Sequence, residues 1–119
     1  MKKIIVVDDE LLLRDVMFDY LSSQGYEVIL AADADKALEM VETHVPQIAL
    51  IDIKLPNMSG IELTKILKQN YPSMFVIIMT GYPSLDTAAT AMKSGASEYI
   101  IKPFRLDELN KIIKKYLVL

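Results

Sequence analysis

The sequence contains no cysteine and a single histidine, His44. Without cysteine there is no disulfide bond, no thiolate nucleophile and no cysteine-based zinc site, and one histidine is too few for a histidine metal cage. Any metal ion must therefore be held by oxygen atoms. The sequence also lacks an apolar run near the roughly 18 residues of a membrane span, and Met1-Lys2-Lys3 leads into β character rather than a signal peptide. We therefore expect no membrane contact and a cytoplasmic location.

An excess of basic charge is also missing, because 13 Lys and Arg residues face 16 Asp and Glu residues. The net charge of -3 argues against direct nucleic acid binding, since a nucleic-acid-binding domain normally presents a basic face to the phosphates. The length of 119 residues, 52% of them hydrophobic, corresponds to a single globular domain, which we assign to residues 1–119.

What the sequence does contain is a repeated unit, a short β-branched run followed by a segment of helical period. Five such runs are present: Lys3–Val7, Tyr26–Ala31, Gln47–Ile51, Met74–Met79 and Glu98–Ile101. The middle runs are almost continuously apolar, which is typical of strands buried on both faces. The alternation, with loops of two to six residues, predicts an α/β fold: a doubly wound, five-stranded parallel sheet flanked by five helices.

Reactive polar residues follow four of the predicted strands. Asp8 and Asp9 follow the first, Asp52 the third, Thr80 the fourth and Lys102 the fifth. In open α/β sheets ligands bind outside the carboxyl ends of the strands. Three carboxylates in one crevice require a compensating cation, and oxygen ligands favour Mg²⁺, with Mn²⁺ as the alternative ion.

These residue types together predict a phosphoryl-transfer site. Asp52 is the nucleophile, Thr80 and Lys102 stabilise charge on the phosphoryl oxygens, and Asp8 and Asp9 hold the metal. Each residue also has an ordinary interpretation. The two N-terminal aspartates would cap the first helix, Asp52 would form a turn, and Thr80 and Lys102 would be loop residues. The combination of all four strand ends favours the phosphoryl-transfer site.

Several stretches match a known family in order along the chain. They are Val6-Val7-Asp8-Asp9-Glu10, Leu50-Ile51-Asp52-Ile53-Lys54-Leu55-Pro56 with Asn57-Met58-Ser59-Gly60, Met79-Thr80-Gly81, and residues 95–104 with Lys102-Pro103. Over essentially its whole length the chain resembles the receiver domain of bacterial two-component response regulators. The resemblance implies a CheY-like three-layer sandwich with the strand order 2-1-3-4-5.

The resemblance also implies roles for individual residues. Asp52 would accept the phosphoryl group, Mg²⁺ would be held by Asp9, Asp52 and the backbone carbonyl of Lys54, and Asp8 would act largely through water. Thr80 and Lys102 would contact the phosphoryl oxygens. Tyr99, which is otherwise an ordinary edge-strand aromatic, would turn inward when Thr80 moves toward the phosphate. These roles describe a switch that biases a two-state equilibrium.

The partners implied by the resemblance are a sensor histidine kinase or a histidine phosphotransfer protein as donor, and an output domain or target protein. The target would read the surface of the fourth helix, fifth strand and fifth helix, and phosphorylation would favour a homodimer. The chain would not be an enzyme beyond accepting its own phosphoryl group and slowly losing it. Residues 79–96 are similar to receivers of enhancer-binding transcription activators, so we expect either such a regulator or a stand-alone receiver.

Three rival functions make different demands on the sequence. A hydrolase of the haloacid dehalogenase kind has Asp-x-Asp after the first strand, whereas here the aspartates are adjacent and position 10 is Glu. A flavodoxin-like redox carrier needs a Ser/Thr/Gly-rich loop there, and Asp8-Asp9-Glu10 would repel the flavin phosphate. A pseudo-receiver that only binds partners would not need the intact acidic set.

Overall fold

The computed structural model of the protein describes residues 2–117, so Met1 and Val118-Leu119 of the predicted 1–119 domain lie outside the described residues. Within them, strands and helices alternate as the sequence predicts. The elements are β1 (Lys3–Val7), α1 (Leu11–Ser23), β2 (Glu27–Ala31), α2 (Ala34–His44), β3 (Ile48–Asp52), α3 (Gly60–Asn70), β4 (Phe75–Thr80), α4 (Leu85–Lys93), β5 (Glu98–Ile101) and α5 (Leu106–Leu117). None of these helices is long and apolar enough to cross a membrane.

The strands form one parallel sheet in the order β2-β1-β3-β4-β5, which confirms the fold and the strand order expected from the resemblance. From β1 the chain proceeds to β2 on one side of the sheet and to β3 on the other. A crevice opens above the carboxyl ends of two strands at such a reversal. Asp8 leaves β1 and Asp52 ends β3 at this point.

The core has one layer on each face of the sheet. Alternate strand residues such as Ile5 and Ile51 pack with residues of α2, α3 and α4, whereas Ile4 and Leu50 pack with residues of α1 and α5. All four side chains are fully buried. Because successive residues of a strand point to opposite faces, a strand covered on both faces must be apolar throughout, as the sequence of β3 is up to Asp52.

The fourth helix is held to the core less than the others. Its buried residue is Ala91, whereas Leu85 is 91% exposed and Met92 is 48% exposed. At its N-terminus, Ser84 and Thr87 form a reciprocal capping box. The local hydrogen bonds of this box, rather than buried side chains, define where α4 begins.

Three details differ from the sequence prediction. Strands β2, β3 and β4 begin one residue later than expected, at Glu27, Ile48 and Phe75. Strands β3 and β4 end one residue later than expected, so Asp52 and Thr80 are the last residues of their strands rather than the first residues after them. The loop between β3 and α3, residues 53–59, is also longer than the predicted two to six residues. The later strand ends arise because the backbone ladder continues past the apolar run, with the amide of Ile53 donating to the Met79 carbonyl at 3.1 Å.

Candidate functional site

The carboxyl ends of the central strands bring the predicted site residues together. Asp8 is fully buried, Asp52 is 7% exposed and Thr80 is 1% exposed. The amide of Asp8 donates to the Ala31 carbonyl at 3.1 Å, which extends the pairing of β1 with β2. The parallel strands β1, β3 and β4 are neighbours in the sheet, and for this reason the side chains at their carboxyl ends lie in one crevice.

Asp8, Asp9 and Asp52 form a cluster of three carboxylates, each with an oxygen atom within 4.8 Å of the others. Asp9 is exposed, and its side chain makes no hydrogen bond within residues 2–117. A cluster of this kind offers only hard oxygen donors, and its exposed member leaves room for water. Both properties suit Mg²⁺, which prefers oxygen ligands and keeps part of its hydration shell.

Lys102 lies between two of the carboxylates. Its Nζ atom is 2.7 Å from Asp8 Oδ2 and 3.3 Å from Asp52 Oδ2, and its side chain is 18% exposed. Burial lowers the pKa of Lys102, but its hydrogen bonds and its attraction to Asp8 and Asp52 outweigh burial, so the pKa lies above its usual value. Lys102 therefore stays charged and compensates one of the three carboxylates.

Asp52 has a pKa above the usual value of a carboxyl group. Burial is the main cause, the attraction of Lys102 opposes it, and the charge of Asp8 adds to it. The ionised form that would attack phosphorus is thus held in an environment that does not favour it. A second cation at this cluster would favour the ionised form.

The capping interpretation of Asp8 is wrong. Helix α1 has Glu10 as its N-cap residue without a side-chain cap, and Asp8 Oδ1 accepts the amide hydrogen of Glu10 at 2.9 Å. The Asp8 carbonyl also accepts a hydrogen bond from Arg14 Nη1 at 2.9 Å. Sequence reasoning missed Arg14, and the available signal was its position in the first turn of the helix that follows the two aspartates.

A backbone hydrogen bond joins Thr80 and Lys102, since the amide of Lys102 donates to the Thr80 carbonyl at 2.7 Å. The Thr80 hydroxyl oxygen accepts the amide hydrogen of Tyr82 at 3.0 Å, which leaves the hydroxyl hydrogen to donate. The peptide bond between Lys102 and Pro103 is cis, as the sequence allows.

A cavity of about 320 Å³ opens from the crevice to solvent. Its lining consists of Asp9, Glu10, Asp52, Lys54, Gly81, Tyr82 and Lys102. Two of these lining residues contact each other, since Lys54 Nζ is 3.8 Å from the centroid of the Tyr82 ring. This cation–π contact links the loop after β3 to the loop after β4.

Tyr99 is half-buried on β5, and its hydroxyl shares a hydrogen bond of 2.9 Å with Thr87 Oγ1. Thr87 is also the residue that closes the capping box with Ser84 at the start of α4. Sequence reasoning missed this link, although Ser-x-x-Thr after Pro83 is a recognisable start of a helix. Tyr99 therefore contacts the helix that the predicted switch would move.

Comparison with known proteins adds an independent finding. Residues 4–114 match the family described as the response regulator receiver domain. The chain is similar to Sporulation initiation phosphotransferase F of Bacillus subtilis (strain 168), with 37% identity over 118 residues that cover 99% of this chain and 95% of that protein. It is also similar to the DNA-binding transcriptional regulator NtrC of Proteus hauseri, with 36% identity over 110 residues, 92% of this chain and 23% of that protein.

A solved structure agrees with these relatives. The receiver domain protein (CheY-like) from Methanospirillum hungatei JF-1 superimposes with a TM-score of 0.91 and 39% sequence identity, and the match covers 98% of this chain and 94% of that one. The chain thus spans nearly the full length of the Bacillus protein but less than a quarter of the Proteus regulator.

Proposed function

Because this chain belongs to the response regulator receiver domain family, and is therefore a phosphorylatable switch of two-component systems, we propose that Asp52 is the residue that accepts the phosphoryl group. The observation that carries the assignment is the position of its carboxylate at the reversal of strand order. It lies 3.3 Å from the Lys102 ammonium and beside Asp8 and Asp9. An aspartyl-phosphate hydrolase has no support from the family match.

The proposed site includes Mg²⁺, or Mn²⁺ in its place. Asp9, Asp52 and the backbone carbonyl of Lys54 would hold the ion. Asp8 would act mainly through water, since its two oxygens already accept hydrogen bonds from the Glu10 amide and the Lys102 ammonium. When bound, the ion neutralises negative charge on the phosphoryl oxygens and on the attacking carboxylate.

The residues of the chain divide the work of phosphoryl transfer. A carboxylate oxygen of Asp52 donates an electron pair to phosphorus while the bond to the donor phosphohistidine nitrogen breaks, and the imidazole keeps that pair and takes up a proton. Lys102 turns from the carboxylates to the new phosphoryl oxygens, and the Thr80 hydroxyl donates to another of them. The product is an aspartyl phosphate, which the chain itself slowly hydrolyses.

Thr80 and Tyr99 form the proposed switch. Movement of Thr80 toward the phosphoryl group vacates space that the Tyr99 ring enters, which alters the surface of α4, β5 and α5. The partners are a sensor histidine kinase or a histidine phosphotransfer protein on the input side. On the output side the partner is a target protein or an attached domain. Any contact with DNA is made by that partner, because this chain is acidic. Phosphorylation would also favour a homodimer of the chain.

Chemical trapping tests the assignment of Asp52. Acetyl phosphate with Mg²⁺ is expected to add one phosphoryl group that is acid-stable and labile to hydroxylamine. Reduction with borohydride followed by peptide mass spectrometry should locate the group at residue 52. Trapping at another carboxylate, or continuous release of phosphate from phosphate esters without a trapped residue, would contradict the proposal.

Magnesium is expected to stabilise the fold through Asp9. A ligand at 100 times its dissociation constant adds about 2.7 kcal/mol to the free energy of unfolding. Asp9→Asn should lose most of this increase, measured by urea denaturation over a series of Mg²⁺ concentrations. Asp19→Asn, at an exposed position of α1 away from the crevice, is the control and should keep it. A full Mg²⁺ response in Asp9→Asn would remove Asp9 from the ligand set.

Lys54 and Tyr82 are expected to prolong the life of the phosphoryl group, because both line the cavity beside Asp52 and we expect their bulk to hinder attacking water. An exposed cation–π contact is worth about 0.5–1 kcal/mol, so Lys54→Ala and Tyr82→Ala should each speed decay about 2- to 5-fold. Decay of the purified phosphoprotein with Mg²⁺ is the measurement. Tyr82→Phe keeps the ring and Lys65→Ala lies elsewhere, so both should match the parent. Unchanged decay in both alanine variants would contradict the prediction.

A further inference from the structure

The first residue of α3 lies directly against the backbone of Asp52. A Cβ atom added to Gly60 would overlap the carbonyl oxygen of Asp52, and it would lie 2.8 Å from the Asp52 carbonyl carbon and 2.9 Å from Ile51 Cγ2. Real Cβ atoms essentially never approach other heavy atoms this closely. Position 60 therefore accepts only hydrogen on the side that faces β3.

The same residue closes the loop that leaves Asp52. The amide of Gly60 donates to the Ile53 carbonyl at 2.8 Å, so the end of the loop over residues 53–59 is fastened to its beginning. The Gly60 carbonyl accepts a hydrogen bond from the buried Thr64 hydroxyl at 2.8 Å. Gly60 thus ties the residue after Asp52 to the first turn of α3.

A side chain at position 60 would have to displace either the helix or the end of the strand. Leu63 and Leu67 hold α3 in the core and are fully buried. The end of β3 is the part that the added atom would meet, because the overlap is with the carbonyl of Asp52 itself, and beyond Ile53 the chain enters a loop whose Lys54 is exposed. Asp52 and the backbone carbonyl of Lys54 are therefore the groups that would move.

We propose that Gly60 is a positioning residue for phosphoryl acceptance. The close approach of Gly60 to the Asp52 carbonyl, which leaves no room for a Cβ atom, sets the position of the Asp52 carboxylate relative to Lys102 and the other two aspartates. The inference rests on the proposed role of Asp52. Displacement of a reacting group by about 1 Å is enough to reduce a rate about 100-fold, and the Cβ overlap requires a movement of that order.

The test compares Gly60→Ala with Leu67→Ala, a fully buried position of the same helix remote from the crevice. For the folded protein, Gly60→Ala should slow phosphorylation by acetyl phosphate about 10- to 100-fold and weaken Mg²⁺ binding, measured by calorimetry without phosphodonor, about 10-fold. Leu67→Ala should lose stability but keep the parental rate and Mg²⁺ affinity. A merely structural role of Gly60 would lower stability and leave both quantities unchanged, which would overturn the proposal.

Folding of the variant is checked separately. If Gly60→Ala is unfolded in buffer, the comparison is repeated with both variants in trimethylamine N-oxide, which favours compact states. A variant that stays unfolded there overturns the proposal, since the contact then serves the fold rather than the site. Failure of the parent protein to become phosphorylated at residue 52 would instead refute the role of Asp52. If the parent is phosphorylated at residue 52 and Gly60→Ala has the same phosphorylation rate and Mg²⁺ affinity as the parent, only the role of Gly60 is refuted.

Discussion

Replacing Asp52 with asparagine is expected to abolish phosphorylation by acetyl phosphate and, at the same time, to stabilise the fold at neutral pH. The amide lacks the carboxylate oxygen that forms the bond to phosphorus, so no phosphoprotein should be detected by intact mass. Stability rises because the substitution removes a buried charge that Asp8 repels, while Lys102 keeps its 2.7 Å contact with Asp8.

The stability gain should depend on pH in a defined direction. Burial, reinforced by Asp8 and opposed by Lys102, raises the pKa of Asp52 in the folded protein. A carboxyl group whose pKa is raised by folding costs stability when it is ionised, and this cost disappears as the pH falls through the folded pKa. The advantage of Asp52→Asn over the parent is therefore largest near neutral pH and shrinks on acidification.

Urea denaturation of both proteins without Mg²⁺, at neutral and acidic pH, measures this advantage. Asp19→Asn controls for the change in net charge and should show no comparable gain, since Asp19 is exposed on α1. An Asp52→Asn protein that still accepts one phosphoryl group would contradict the assignment of Asp52. A variant less stable than the parent at neutral pH would contradict the predicted cost of the buried Asp52 charge.

Replacing Lys102 with methionine is expected to have the opposite effect on stability. The substitution leaves Asp8, which is fully buried, without its ammonium partner. Removing one partner of a buried pair costs about 3–5 kcal/mol, and we expect the lower end because Lys102 keeps some exposure to water. Phosphorylation should also slow about 100-fold, since a charge that stabilises the transferring group is lost.

The pH dependence of this loss follows from the raised pKa of Lys102. Burial lowers that pKa, but contacts with Asp8 and Asp52 outweigh burial. A lysine with a raised folded pKa contributes stability that is complete below its unfolded pKa and is lost as the pH rises through the folded value. The deficit of Lys102→Met should thus persist across neutral pH and narrow in alkali.

Added Mg²⁺ should reduce the deficit of Lys102→Met by supplying another positive charge to the three carboxylates. Denaturation with and without Mg²⁺ measures this effect, and Lys111→Met at an exposed position of α5 is the control. A Lys102→Met protein as stable as the parent in the absence of Mg²⁺ would show that the buried carboxylate does not need the ammonium.

The parallel sheet followed from the sequence because the central strands are apolar on both faces, which is typical of strands covered on both sides, whereas the strand order was implied by the resemblance to receiver domains. The strand ends were displaced by one residue for a physical reason. Hydrophobicity marks where side chains are buried, whereas a strand ends where backbone pairing stops. Asp52 and Thr80 are polar residues that still pair, because their side chains point into the crevice rather than into the core.

The contents of the site were predicted better than its internal geometry. The residue types alone treated Asp8 and Asp9 as one metal-binding pair, and only the resemblance gave them different roles. In the structure Asp8 is fully buried beside Lys102 and Asp9 is exposed. Successive residues of an extended chain point in opposite directions, so adjacent carboxylates have different surroundings. Contacts between loops, such as Lys54 with Tyr82, depend on rotamers that a pattern of residue types does not determine.

The small buried surface of α4 keeps low the free energy needed to reorient this helix when the switch changes state. Reorienting a helix costs free energy in proportion to the apolar surface that leaves the core. For α4 that surface is small, because Ala91 is its buried residue and Met92 is 48% exposed, whereas moving α5 would extract Leu109 and Ile113. A ligand shifts an equilibrium only by its differential affinity for the two states, and the small penalty at α4 brings that shift within reach of a few hydrogen bonds to one phosphoryl group.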